Sequence, residues 1–273
     1  MRRLLRRLAR MVGLVEEESD LRAYVVGFAG SASKVAMLLR EELKLQGINA
    51  SCKWAEPVSD YEVMGLLSSW CSDATCLGVF LDRPWKVLGP YIVDSLDESV
   101  TDVDSIDVVV LREGMLRGVN VERRVSEAIA KGLEPTTATV ISGVEGLVHA
   151  SALCRLGFKL RYVVIPEADR NYIEYKLKRL CSCATICEYD EEGLAQALGQ
   201  ADIVVIAGRR LAEDKLVAAA LEVLVPRILV DATCIEGSIA SRRLIGKTKV
   251  ICCNEYYRML VREAVNVMVK AWW

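Results

Sequence analysis

The stretch VISGVEGLVHA, Val140 to Ala150, has the residue types and spacing best suited to chemistry in this chain. An apolar β-type run ends at Gly143, and a helical pattern begins beyond Gly146. Glycines at such a strand-to-helix turn let a pyrophosphate approach backbone N–H groups and the positive end of the helix. Gly143 holds the position of the tight turn, and Gly146 serves the turn or close packing. Glu145 stands where a further glycine would leave room for phosphate, and it adds negative charge. Two like charges about 4 Å apart near a surface repel by several kcal/mol. A carboxylate at a helix start is also an ordinary stabilising feature. A phosphate loop and a purely structural turn are therefore both open readings. The next strand ends in IPEADR, where Glu167 and Asp169 favour a free ribose 2′-hydroxyl and hence NAD over NADP. Arg170 is the residue there that would suit a 2′-phosphate.

The remaining reactive residues form no recognisable centre. His149 is the only imidazole, set against ten cysteines. Cys181, Cys183 and Cys187 cluster, as do Cys71 with Cys76 and Cys252 with Cys253, but none has paired C-x-x-C spacing. No metal site is expected, and most of the thiols read as small buried hydrophobes. Sparse amides and plentiful Arg, Glu, Val and Leu suit a thermophile, where intracellular disulfides occur. Cys71–Cys76 is the first pair to expect. A net charge of −2 gives no global basic field for nucleic acid. No apolar run reaches the roughly 18 residues needed to span a bilayer, and the N-terminus lacks the apolar stretch of a signal peptide. A soluble, cytoplasmic protein is expected. Residues 1–20 form a basic extension, in which Arg2, Arg3, Arg6, Arg7 and Arg10 alternate with Leu4, Leu5, Leu8 and Met11 at helical spacing. Such a helix packs its leucine face on the body, or meets a membrane or a partner.

The elements that must position these residues follow a regular order. AYVVGFA is a strand. SASKVAMLLREELKLQG is a helix opened by a serine cap and closed by Gly47. INASCKW is a strand, VSDYEVMGLLSSW a helix capped near Ser59, and TCLGVFLD a strand. WKVLGPYIVDSL is a short helical region broken by Pro90, and residues 105–119 form a hairpin turning at Glu113-Gly114. Strands and helices then alternate strictly, and continuous apolar strands of that kind imply a parallel sheet covered on both faces. The reading is α/β with two domains. Residues 21–119 form a substrate-binding-like domain, joined by a C-terminal helix, 254–273, that returns to it. Residues 120–253 form a Rossmann-like dinucleotide-binding domain.

At this level of detail the chain resembles the shikimate dehydrogenase family from about Tyr24 to Trp272. GFAGSASK resembles the family's G-N-P-I-x-x-S-x-S-P opening, and GVFLDRPWK resembles G-x-N-V-T-x-P-x-K from Gly78 to Lys86. EGMLRGVNVERRVSEAI resembles D-G-x-L-x-G-x-N-T-D-x-x-G, and YYRMLVREAVNVMVKAW resembles the family's closing helix. The resemblance implies an oxidoreductase of aromatic amino acid biosynthesis. It would transfer hydride between NADP or NAD and a small-molecule substrate held in an interdomain cleft, namely shikimate or a related cyclic hydroxy acid. Lys86 and Glu122 match the catalytic Lys and Asp. Ser31 and Ser33 match the hydroxyls that hold the substrate carboxylate, and Asp82, Asp107, Asn120 and Glu263 match other substrate positions. Gly143, Glu145, Gly146 and Glu167 fall at the cofactor, with Glu145 set against either dinucleotide. A monomer or homodimer is expected.

The departures from the family pattern carry information too. Glu122 is one methylene longer than the family's Asp. Phe80 and Asp82 replace an Asn and a Thr, Asp107 replaces an Asn, Glu263 a Gln and Cys234 a Tyr, and His149 stands where the family often has Arg. Asp82, Asp107, Glu122 and Glu263 would crowd a site meant for an anionic acid, which disfavours shikimate itself. A second reading is thus a non-catalytic paralogue that binds a small molecule or partner protein.

Overall fold

The computed structural model describes residues 21–233 and 237–273. The basic extension and Cys234 lie outside the described residues. The described chain divides into two compact units. One comprises the residues up to Val100, with Asp104–Asn120 and Val261–Trp273. The other comprises Thr101–Val103 and Val121–Leu260.

The first unit runs β1 (Arg22–Val26), α1 (Ala29–Leu45), β2 (Ser51–Ala55), α2 (Asp60–Cys71) and β3 (Cys76–Leu81). Short 3-10 turns at Trp85–Val87 and Gly89–Tyr91 follow, and then β4 (Ser95–Leu96), β5 (Val108–Arg112) and β6 (Met115–Val119). The sheet order is β2-β1-β3-β5-β6-β4. β2, β1 and β3 are parallel, whereas β5 enters antiparallel to β3 and forms a hairpin with β6. Glu113 and Gly114 both have positive φ, 55° and 83°, the backbone that a two-residue hairpin of matching twist requires.

The expected serine cap on α1 is corrected. Phe28 is the N-cap and its side chain caps nothing, because the helix begins upstream of Ser31. Ser31 and Ser33 therefore sit within the opening turns, and their hydroxyls donate to the Phe28 and Gly30 carbonyls at 3.1 and 3.3 Å. α2 is capped as read: Ser59 Oγ accepts the Glu62 N–H, while Glu62 Oε2 accepts the Val58 N–H. Tyr24, Val26, Val63, Leu67, Val79, Leu81, Ile106 and Val109 form the core on one face of this sheet. The last helix, Cys253–Trp272, brings Val261–Trp273 into this unit. Gly78 on β3 makes room for it: a Cβ there would lie 2.8 Å from Met268 Cγ and 3.0 Å from the Val109 carbonyl oxygen.

The second unit is a repeated strand–helix winding. It runs α3 (Val121–Ala130), β7 (Thr137–Ser142), α4 (Leu147–Arg155), β8 (Lys159–Val164), α5 (Arg170–Leu180), β9 (Thr185–Cys187) and α6 (Glu191–Leu198). It continues through β10 (Ile203–Ala207), α7 (Lys215–Val223), β11 (Ile228–Ala232), α8 (Ile239–Leu244) and β12 (Lys249–Ile251) to the start of the last helix, α9. The sheet order is β12-β11-β10-β7-β8-β9, and every pairing is parallel. Ile141, Val163, Leu194, Val204, Ile206, Val217, Leu221 and Leu229 pack one of its cores. Gly143 follows β7, so the glycine turn lies at the carboxyl ends of the strands, where β7 and its neighbour β10 are followed by separate crossovers. Ligands of open parallel sheets bind at such a switch point.

The expectation for Cys71 and Cys76 is also corrected. Both are free, buried thiols. Their mutual hydrogen bond holds Cys71 below the ordinary thiol value and, together with burial, pushes Cys76 above it. The bridge instead joins Cys154 to Cys181, with a Cα–Cα distance of 5.8 Å. It ties the end of α4 to the end of α5 and closes a separation of 27 residues. Cys154→Ser is expected to lower unfolding free energy by about 3.5 kcal/mol, the loop-closure contribution for a ring of this size. Urea denaturation of the two proteins without reductant checks this, and equal midpoints would contradict it.

Candidate functional site

In the first unit the candidate residues gather where β1 and β3 end and β5 begins. The Asp82 N–H donates to the Val26 carbonyl oxygen at 2.8 Å, and Asp82 Oδ1 accepts the Arg83 N–H at 2.8 Å. Gly27 lies against this carboxylate's stem, since a Cβ on Gly27 would be 2.9 Å from Asp82 Cβ. Lys86 lies in the 3-10 turn that follows, 8% exposed, and its Nζ is 2.6 Å from Oδ1 of the fully buried Asp107. Backbone bonds fix both partners: the Asp107 carbonyl accepts the Leu81 N–H, and the Lys86 carbonyl accepts the Ile106 N–H. An ammonium with so little water near it is costly unless a carboxylate faces it, and Asp107 faces this one. The pair sets a lysine amine against a fixed carboxylate.

The other first-unit candidates are engaged locally. Asn120 is fully buried; its N–H donates to Ser99 Oγ, and its amide nitrogen donates to the carbonyl and hydroxyl of Ser105 at 2.9 and 3.0 Å. It ties the segment after β6 to the segment that leads into β5. Ser31 and Ser33 direct their hydrogens at helix carbonyls, so gripping an anion would cost those bonds. Glu263 Oε2 accepts from Asn266 Nδ2, whose Oδ1 accepts from Gln46 Nε2.

In the second unit the glycine turn is braced from below. Tyr162 on β8 donates its hydroxyl hydrogen to the Gly143 carbonyl, and burial pushes that phenol's pKa up. A Cβ on Gly146 would lie 2.8 Å from Val140 Cγ1 and nearer still to Tyr162 Oη and Ser142 Cβ. Gly146 is thus the packing glycine that lets α4 sit tightly on the sheet. Ser142 Oγ donates to the Ala207 carbonyl at 2.7 Å, which joins the ends of β7 and β10. The Glu145 carboxylate lies over this crevice. Its Oε2 is 2.8 Å from a Cβ placed on Gly143, and its Oε1 is 4.0 Å from one placed on Gly208. An anion of the chain itself stands on the two glycines between which a dinucleotide's phosphates would sit. Glu167, at the end of β8, pairs with Arg210 from the turn after β10 at 2.8 Å. Asp169 is spent as the N-cap of α5, and Arg170 pairs with Glu174 and Glu188.

The cradle offers a dinucleotide two glycines and the start of α4, with the Glu145 carboxylate lying over them. Glu145 is itself exposed, so rotation about its side-chain bonds can vacate that place.

A buried cluster surrounds Glu122, which is 4% exposed. Its Oε1 accepts from Tyr256 Oη at 3.3 Å and lies 3.8 Å from His149 Nε2. Ser126 Oγ, one turn along α3, is 2.8 Å from His149 Nδ1 and donates to the Glu122 carbonyl at 3.0 Å. The serine has a single hydrogen. With that hydrogen on the carbonyl, Nδ1 of His149 must carry its own, and Nε2 faces the carboxylate. A cavity of about 10 Å³ lined by Ser126, His149, Leu153 and Val230 adjoins the ring, near the lower limit for one water.

Sequence reading missed Ser126, Tyr256 and Arg210. The only local signal was the four-residue step from Glu122 to Ser126, which puts both on one helix face. It also missed that Asp231, fully buried at the end of β11, collects donors from Thr233, Ser238 and Ser241. Among the described residues no group of three or more His, Cys, Asp or Glu is arranged to hold a metal. Among them, too, no helix is long and apolar enough to cross a membrane.

Neither a family model nor a curated protein matches the sequence. Solved structures do match the fold. Shikimate dehydrogenase from Mycobacterium tuberculosis shares 17% identity at a TM-score of 0.75, over 92% of this chain and 98% of that one. Quinate dehydrogenase from Corynebacterium glutamicum, solved with NAD, shares 14% at 0.74, over 92% and 94%. Shikimate 5-dehydrogenase from Thermus thermophilus, solved with NADP(H) and shikimate, shares 19% at 0.72, over 92% and 98%. The chain has the two-domain α/β fold of these dehydrogenases.

Proposed function

We propose that this protein is an NAD(P)-linked oxidoreductase that interconverts a ring hydroxyl and a ketone on a cyclic polyol related to shikimate or quinate. The carrying observation is the Lys86–Asp107 pair. A nearly dry lysine facing a buried carboxylate is a poor way to gain stability, because desolvation offsets the attraction. It is a good way to hold a proton donor in place. Lys86 polarises the substrate carbonyl and gives a proton to the oxygen as it gains charge. On the second unit Glu122, with Tyr256 and His149 beside it, is the carboxylate suited to handle a proton. Ser31 and Ser33 meet the substrate's polar substituent, and Asp82, Asn120 and Glu263 meet ring hydroxyls. Gly143 and Gly146 hold the dinucleotide once Glu145 has turned aside, and Glu167 with Arg210 meets its ribose. The dinucleotide supplies the hydride. The carboxylates at positions 82, 107, 122 and 263 favour a hydroxyl-rich substrate of little negative charge over shikimate itself.

One observation favours a second reading, a non-catalytic small-molecule binder: the Glu145 carboxylate over Gly143 and Gly208. The test is to follow nicotinamide absorbance with shikimate, quinate and their neutral analogues, each with NAD and with NADP. Turnover on at least one cyclic alcohol is expected, higher for neutral members of the series. No turnover on any of them, with no binding of either dinucleotide, would discard the oxidoreductase and leave the binder.

A further inference from the structure

Three sulfurs lie together on the second unit. Cys154 at the end of α4 is bridged to Cys181 at the end of α5. Two residues on, Cys183 places its Sγ 3.4 Å from the Cys181 Sγ. A turn closed by the Ala184 N–H on the Cys181 carbonyl, at 3.1 Å, carries both side chains. Cys181 is buried at 7% exposure, whereas Cys183 is exposed. The bridge is shielded at its Cys181 end and half-buried at Cys154, and the most exposed of the three is Cys183, whose sulfur touches that of Cys181. Exchange proceeds by attack of a thiolate on a disulfide sulfur. Holding the attacking sulfur in contact with its target replaces an encounter in solution with an intramolecular step.

We propose that Cys154, Cys181 and Cys183 form a thiol–disulfide exchange site, with Cys183 as the point of attachment for low-molecular-weight thiols. Cys183 gives its proton to water, and the thiolate attacks Sγ of Cys181. The Cys181–Cys183 bond forms as the Cys154–Cys181 bond breaks, and Cys154 leaves as a thiolate that takes a proton from water. The internal step has no net oxidation. A low-molecular-weight disulfide reacts at the same sulfur: Cys183 bonds to one half, and the other half departs as a thiol. In one isomer α4, the helix that leaves the glycine turn, is tied to α5. In the other it is released from that tie.

The site can be tested on the full chain without reductant. The protein is held at mildly alkaline pH, quenched in acid, digested with pepsin and mapped by mass spectrometry. Wild type should contain both the Cys154–Cys181 and the Cys181–Cys183 bridges, and Cys183→Ser only the first. With oxidised glutathione, wild type should gain one glutathione at Cys183, and Cys183→Ser none. Reduction of the Cys154–Cys181 bridge by glutathione should slow by roughly tenfold or more in Cys183→Ser, because the accessible nucleophile is gone. A wild type that keeps only the Cys154–Cys181 bridge after prolonged incubation would overturn the exchange. Failure to attach glutathione at Cys183 would overturn its role as the attachment point. Cys183 is exposed, so its serine variant should fold, and matching circular dichroism would confirm that.

Discussion

Lys86→Met should lose turnover by about 10²–10⁴-fold, the range for removing one positioned acid–base group. It should also destabilise the protein by about 3–5 kcal/mol, because the buried Asp107 carboxylate loses the ammonium 2.6 Å from it. The two effects separate in the double variant. Adding Asp107→Asn removes the stranded charge, so most of the stability should return while turnover stays lost. Urea denaturation and steady-state rates on the same four proteins complete the cycle. Wild-type turnover in a destabilised Lys86→Met protein would make the pair purely structural. A double variant no more stable than Lys86→Met would mean that the stranded charge is not the cause of the loss.

The second large effect is a gain. Glu145→Gly should bind NAD(P)H about tenfold to a hundredfold more tightly than wild type, or roughly 1.4–2.8 kcal/mol. The carboxylate that lies over Gly143 and Gly208 no longer has to be displaced from the phosphates' place. The gain is held below the full repulsion of two near charges because Glu145 is exposed and solvent screens it. Glu145→Gln keeps the size and removes the charge, so it should recover the electrostatic part alone, and its advantage should shrink in high salt. Equilibrium fluorescence titration with both cofactors measures all three proteins. Micromolar affinity in wild type that is unchanged or weakened in Glu145→Gly would show that the carboxylate does not guard the cradle.

The parallel sheet of the second unit was legible in β7, β8, β10 and β11, whose apolar runs alternate with helical periodicity, whereas the three-residue β9 and β12 are too short to show a pattern. The hairpin was legible because Gly114, which takes positive φ without strain, stands between two runs of β-type residues. The start of α1 was misread because serine suits both a cap and a first turn, and only the backbone decides which. The Cys154–Cys181 bridge could not be read, since it depends on how two helix ends approach across the sheet. The surroundings of Glu122 stayed hidden for the same reason. Ser126, His149 and Tyr256 come from three helices, and nothing local marks their meeting. Arg210 opposite Glu167 likewise joins loops after two strands that are not neighbours in sequence.

Gly78 beneath Met268 sets the order in which the protein can mature as it is synthesised. The first unit begins with β1 yet needs a segment made some 190 residues after Gly78 to cover β3. The second unit has all its residues by Leu260. The unit that leaves the ribosome first is therefore the last to finish. Its sheet waits with the patch around Gly78 bare while the other unit completes. Domains form as units in the order their residues become available, so this chain's earliest strands are its longest-exposed ones, and during synthesis they depend most on being kept from wrong partners.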